Sequence, residues 1–119
     1  MIMEKPIRKR HMECSAMMIP VRDTLDVISG KWKLMILISI SAGNKRFREI
    51  ERSIPKINSK VLAKELKDLE ENKLIKRTVF DDYPVLIEYT LLPYAESLGD
   101  VIKALSDWGI NHRKHIYGE

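Results

Sequence analysis

One stretch, residues 57–72, constrains the fold more than any other part of the chain. It opens on Asn58 and Ser59, either of which can cap a helix by accepting a bond from a free backbone N–H. Val61, Leu62, Leu66 and Leu69 then recur at helical spacing and predict a buried stripe. Lys60, Lys64 and Lys67 lie three and four residues apart on the outer side, while Asp68, Glu70 and Glu71 crowd the far end. A helix with one apolar stripe must pack against something, so its neighbours in sequence decide the architecture.

Upstream, Ile54-Pro55-Lys56-Ile57 reads as a turn, because Pro55 disfavours helical geometry at Ile54. A short helix is expected over 48–53, with Phe47, Ile50 and Ile54 turned inward, after a brief extended link or short strand at Lys45-Arg46-Phe47. Downstream, residues 74–80 and 85–92 flank the turn Asp81-Asp82-Tyr83-Pro84. Ile75, Arg77 and Val79 alternate with Lys76, Thr78 and Phe80, and Val85, Ile87 and Tyr89 with Leu86, Glu88 and Thr90. That period of two predicts a hairpin. Nearer the amino terminus, Pro20 suits a helix start and Ser29-Gly30 a helix end, so a first helix is expected over 20–30. Trp32, Met35, Ile36, Leu37 and Ile40 make 31–42 apolar on most sides, as a core helix would be. From Pro93 a long last helix is expected to run to residue 118. Residues 1–13 are polar and basic without helical spacing and are expected to form a flexible arm.

Helix, turn, helix, hairpin is the order of a winged helix-turn-helix. The expected fold is therefore mainly α with a small β-hairpin (α+β), as one domain over 14–119. It comprises the first helix, the core helix, a helix-turn-helix over 45–72, a wing over 74–92 and a C-terminal helix over 93–118. A chain of 119 residues supports one core. Little of that core remains for the last helix, whose stripe Leu98, Val101, Ile102, Leu105 and Trp108 is expected to pair with a second copy.

Charge points the same way. The net charge is +4, yet the window 44–67 alone holds eight cations and three carboxylates, a difference of +5. The excess sits on the helix-turn-helix, where it suits a polyanion. A solvated lysine face on an ordinary surface helix is the plainer reading of such a run taken alone; the hairpin beside it, together with the resemblance given below, tips the balance to DNA. The single cysteine, Cys14, allows no intramolecular disulfide and fits a cytoplasmic protein. The longest apolar run, 34–40, is far short of the roughly 20 residues that span a bilayer. No glycine-rich phosphate loop, metal-ligand set or Ser/His/Asp arrangement is evident, so neither an enzyme nor a metal or other cofactor is expected. His112 and His115 are three apart but lack further ligands, and read as a solvated cationic helix end.

The same residues resemble a known family. The run Pro20-Val21-Arg22-Asp23-Thr24-Leu25-Asp26-Val27-Ile28-Ser29-Gly30-Lys31-Trp32 is similar to the opening signature of the HxlR-type winged-helix transcriptional regulators. Arg46-Phe47-Arg48-Glu49-Ile50 resembles their RFxEL segment, and 54–62 with 66–70 resembles their recognition helix. Pro84 with Glu88-Tyr89-Thr90-Leu91 resembles their wing strand, and Trp108-Gly109 their C-terminal tryptophan. The resemblance implies a homodimeric, bacterial-type DNA-binding regulator held together by both terminal helices. Three departures stand out. Ile19 occupies the position where the family often carries a cysteine, used by some members to sense oxidants or electrophiles. Leu92 and Ala95 replace the usual Thr and Gly after the wing. Asp81 and Asp82 occupy the wing tip, which disfavours deep insertion into a minor groove.

A recognition helix contacts bases from its first turns, which nominates Ser59, Lys60 and Lys64. Lys67 and Arg46 suit phosphates, and Asn58 and Ala63 complete the DNA-facing set. Cys14, near Arg8, Lys9, Arg10 and His11, is the candidate redox sensor; its plainer reading is an incidental thiol in the arm. The expected signal is instead a small-molecule effector in an apolar pocket near Trp32 and Trp108. The expected partners are double-stranded DNA and a second copy of the chain, with no membrane. The alternative function is a winged-helix domain used for protein–protein contact without specific DNA binding.

Overall fold

The computed structural model describes residues 11–118. The chain divides into two compact units, residues 1–31 and residues 32–119. In the first unit, helix α1 spans His11–Ile28. It therefore begins nine residues before the Pro20 start expected from sequence, and Pro20 lies inside it. The proline removes the bond to the carbonyl of Ala16 and crowds it, but Ala16 is exposed, so that carbonyl can tilt outward and bond water. One turn on, the Thr24 hydroxyl donates to the Pro20 carbonyl at 2.9 Å. Residues 11–13 of the expected arm belong to this helix; the rest of the arm lies outside the described residues.

The second unit begins with the core helix α2, Lys33–Ser41. Ile36, Leu37 and Ile40 are buried, and so is one polar residue, Ser39. A buried hydroxyl needs partners. Ser39 Oγ lies 2.6 Å from Ser53 Oγ and accepts from Asn44 Nδ2 at 3.1 Å. The cluster ties α2 to the next helix, α3, Phe47–Ser53. Ile50 and Ile54 are buried as expected, and Phe47 is half-buried. Ile54 is extended (φ −112°, ψ 112°) before Pro55, which ends α3. Helix α4, Ser59–Glu71, follows with Leu62, Leu66 and Leu69 fully buried and Val61 at the margin.

Leu74 and Ile75 carry the core into the hairpin, β1 Ile75–Phe80 and β2 Leu86–Leu91. The strands are antiparallel, with Ile75 opposite Leu91 and Phe80 opposite Leu86. Only the base of β1 is buried; Val79 and Phe80 near the tip are exposed, so the expected alternation fades as the wing leaves the body. The link at Lys45 is not a strand. It makes one sheet-like bond, in which Tyr89 N–H donates to the Lys45 carbonyl at 2.7 Å.

The last element is not one helix from Pro93. A 3-10 turn covers Pro93–Leu98 and buries Ala95, and α5 runs Gly99–Tyr117. No residue of α5 is buried within the chain.

Candidate DNA interface

The geometry of the helix-turn-helix depends on how α4 is held. Its N-cap is Asn58, whose Oδ1 accepts from the Val61 N–H at 2.9 Å. The Asn58 side chain is thus committed to the cap. Ser59, the first helical residue, donates its hydroxyl to Glu51 Oε2 on α3 at 2.6 Å. The other oxygen of Glu51 accepts from Arg48 Nη1 at 2.8 Å. These two bonds, Ser59 first and Arg48 second, hold the Glu51 carboxyl below its ordinary range. Glu51 therefore pins the start of α4 to the end of α3.

A second fastening acts lower on α4. Lys33 Nζ, from the first turn of α2, donates to Glu65 Oε1 at 2.6 Å and stands 3.5 Å from Asp68 Oδ2. Both partners of the closer pair are nearly buried, at 11% and 14% side-chain exposure. The Glu65 bond raises the Lys33 pKa above its ordinary 10.5, against the opposing effect of burial. Asp68 also pairs with Lys64 at 3.1 Å, which is the main cause of its lowered pKa.

With α4 held at both places, its outer side faces solvent. Lys60, Ala63, Lys64 and Lys67 are all exposed, and Lys64 keeps 70% of its side-chain area open despite its pair with Asp68. Arg46 is exposed at the N-cap of α3. There the Glu49 carboxylate accepts from Arg46 N–H at 3.1 Å and Lys45 N–H at 3.0 Å, and these bonds lower its pKa. The cations nominated from sequence are thus all exposed on the helix-turn-helix. Ser59 and Asn58 sit beside them with their side chains engaged within the protein. The sequence pattern does not single out Arg48, Glu51 or Lys33 as site residues. The Arg48/Glu51 spacing of three could have signalled an ion pair, but the link to Ser59 depends on the turn between the helices.

Away from this face, Cys14 is half-buried within α1, not on a loose arm. His112 stacks on Trp108, with ring centroids 4.8 Å apart, and so packs as an aromatic partner. Two of the apolar hollows among the described residues are open to a ligand's apolar groups. One lies along α1 by Cys14, Met17, Met18, Val21 and Leu25; the other lies among Leu37, Ile38, Leu91, Ala95 and Ile102. Neither Trp32 nor Trp108 lines them. Among the described residues no helix is long and apolar enough to cross a membrane.

Two helices joined by a tight turn, the second capped and cationic, followed by a two-stranded wing, define a winged helix-turn-helix, a fold characteristic of DNA-binding transcriptional regulators. The comparisons with known proteins agree. The chain belongs to the HxlR-like helix-turn-helix family, whose model matches residues 27–117. It is 41% identical over 101 residues to the uncharacterized HTH-type transcriptional regulator YtcD of Bacillus subtilis, covering 85% of this chain and 80% of that protein. An HTH-type regulator of Methanothermobacter thermautotrophicus is 37% identical, over 80% of this chain and 72% of its own. Among solved structures, the redox regulator HypR in its reduced form superposes with a TM-score of 0.76 at 33% identity, over 84% of this chain and 99% of that one. The crystal structure of YtcD gives 0.72 at 41% identity, over 77% and 94%.

Proposed function

We propose that the protein acts as a homodimer, reads a specific DNA sequence by laying the first turns of α4 in the major groove, and so regulates transcription. The observation that carries this reading is the open row Lys60, Ala63, Lys64 and Lys67 on a helix fastened to its neighbours by Glu51 at its start and Lys33 further along. A rigid helix that presents cations is what base readout needs, since side chains must arrive at base edges in one register. Lys60 and Lys64 contact bases, and guanine O6 and N7 suit a lysine donor. Lys67 and Arg46 hold phosphates. Asn58 and Ser59 position the helix, and Ala63 lets the backbone approach the groove. The homodimer rests on α5, where Leu105 and Trp108 are 50% and 64% exposed and Val101 is also open. Leu98 and Ile102 line the same stretch, half-buried.

Measuring duplex affinity against salt tests the reading. Phosphate contacts release counterions, so binding should fall steeply between about 50 and 200 mM salt, by roughly 10-fold or more for several contacts. A flat response would favour a winged helix used for protein contact.

A further inference from the structure

Arg48 is not among the residues that sequence nominated for DNA, yet its guanidinium is built into the start of α4. Nη1 bonds Glu51 at 2.8 Å and lies 3.5 Å from Ser59 Oγ, the first residue of that helix. Glu51 is itself fixed by the Ser59 hydroxyl at 2.6 Å. The arginine is therefore placed by a bridge that spans the turn between α3 and α4. Its side chain nevertheless stays 72% exposed. An arginine fork has five N–H donors, and one nitrogen facing Glu51 leaves the others open to solvent. Lys60, exposed, follows Ser59 directly.

We propose that Arg48 is a backbone-contact residue of the DNA interface, donating from its open edge to a phosphate that flanks the bases read by α4. The Glu51–Ser59 bridge acts as its positioning element. This inference rests on the DNA reading above and adds to it a contact from the first helix of the pair. Held in place, the guanidinium loses little freedom on binding, which strengthens each bond it makes. A phosphate contact carries no sequence information, so its loss should weaken all sequences alike.

The test compares wild type, Arg48→Gln and Arg48→Lys on two short duplexes: one of random sequence and one selected from a random pool by the wild-type protein. Affinity is read by fluorescence anisotropy over a series of salt concentrations. Arg48→Gln should bind both duplexes about 10-fold more weakly and lower the slope of log affinity against log salt by about 0.9. Arg48→Lys keeps a charge and should restore the slope with part of the affinity. If Arg48 only ties α3 to α4, Arg48→Gln leaves the salt slope at its wild-type value whatever it does to affinity, and the proposal is overturned. A Lys60→Ala/Lys64→Ala variant runs in parallel. If it loses affinity while Arg48→Gln keeps the wild-type slope, the arginine contact alone is wrong. If it too binds like wild type, the placement of the whole interface is wrong.

Discussion

Lys73 illustrates how much a single backbone angle can matter. It closes α4 in the left-handed region, at φ +61°, where a side chain is strained. Lys73 N–H bonds the Glu70 carbonyl at 3.0 Å and Leu74 N–H bonds that of Leu69 at 3.1 Å, the paired closure that usually ends on glycine. Lys73→Gly should therefore stabilise the protein by about 0.5–1 kcal/mol, after the entropy that glycine adds to the unfolded chain. Urea denaturation would show it, and a lowered midpoint would contradict the account. Glu49 gives a pH prediction. Its folded pKa lies below the ordinary 4.5 because two backbone N–H groups hold the carboxylate. The stabilisation is thus complete above the unfolded pKa and is lost as pH falls through the folded one. Thermal stability should drop on acidification below about pH 4.5, and Glu49→Gln should soften that drop; an unaltered profile would remove Glu49 from the explanation. Individual partners of this kind were only half legible. Asn58 and Ser59 were equally good caps by chemistry, and the choice between them depends on which residue leaves the helical path.

Among the elements, α4 and the hairpin were legible because their apolar periods, 3.6 and 2, leave little choice of fold. The start of α1 was not. Proline at residue 20 looked like a beginning, and nothing local reveals that an exposed helix can run through it. The last helix departs from its expected start for a related reason: Pro93 begins a helical path, but a tighter one, and burial of Ala95 holds that 3-10 turn before α5. The seating of α4 on α2 was equally hidden, because Lys33 and Glu65 are 32 residues apart. That pair predicts that Lys33→Met costs about 1–3 kcal/mol, since Glu65 is left nearly buried without its cation. Unfolding in urea at neutral pH is the check, and an unchanged midpoint would show the pair to be incidental. The raised pKa of Lys33 sets the pH sense: its contribution is fully present below 10.5 and is lost as pH rises through the higher folded value.

For the whole molecule, the exposed apolar side of α5 argues for assembly before any DNA is bound. Leu105→Glu together with Trp108→Glu should shift a dimer toward monomer in sedimentation at micromolar concentration; a wild-type protein that is monomeric with and without DNA would end the dimer proposal. A two-fold dimer would bring two copies of α4 to successive major grooves, about one helical turn apart, and weakening it should weaken operator binding with it. At the centre of the proposed function, the open cations on the first turns of α4 read DNA sequence. The most direct measurement is the base preference selected from a random duplex pool by wild type, Lys60→Ala and Lys64→Ala. The account predicts that each variant loses preference at one base pair per half-site, at about 1–3 kcal/mol, while Lys67→Ala weakens every sequence equally and leaves the preference intact. Identical selected sequences and affinities for wild type, Lys60→Ala and Lys64→Ala would contradict it.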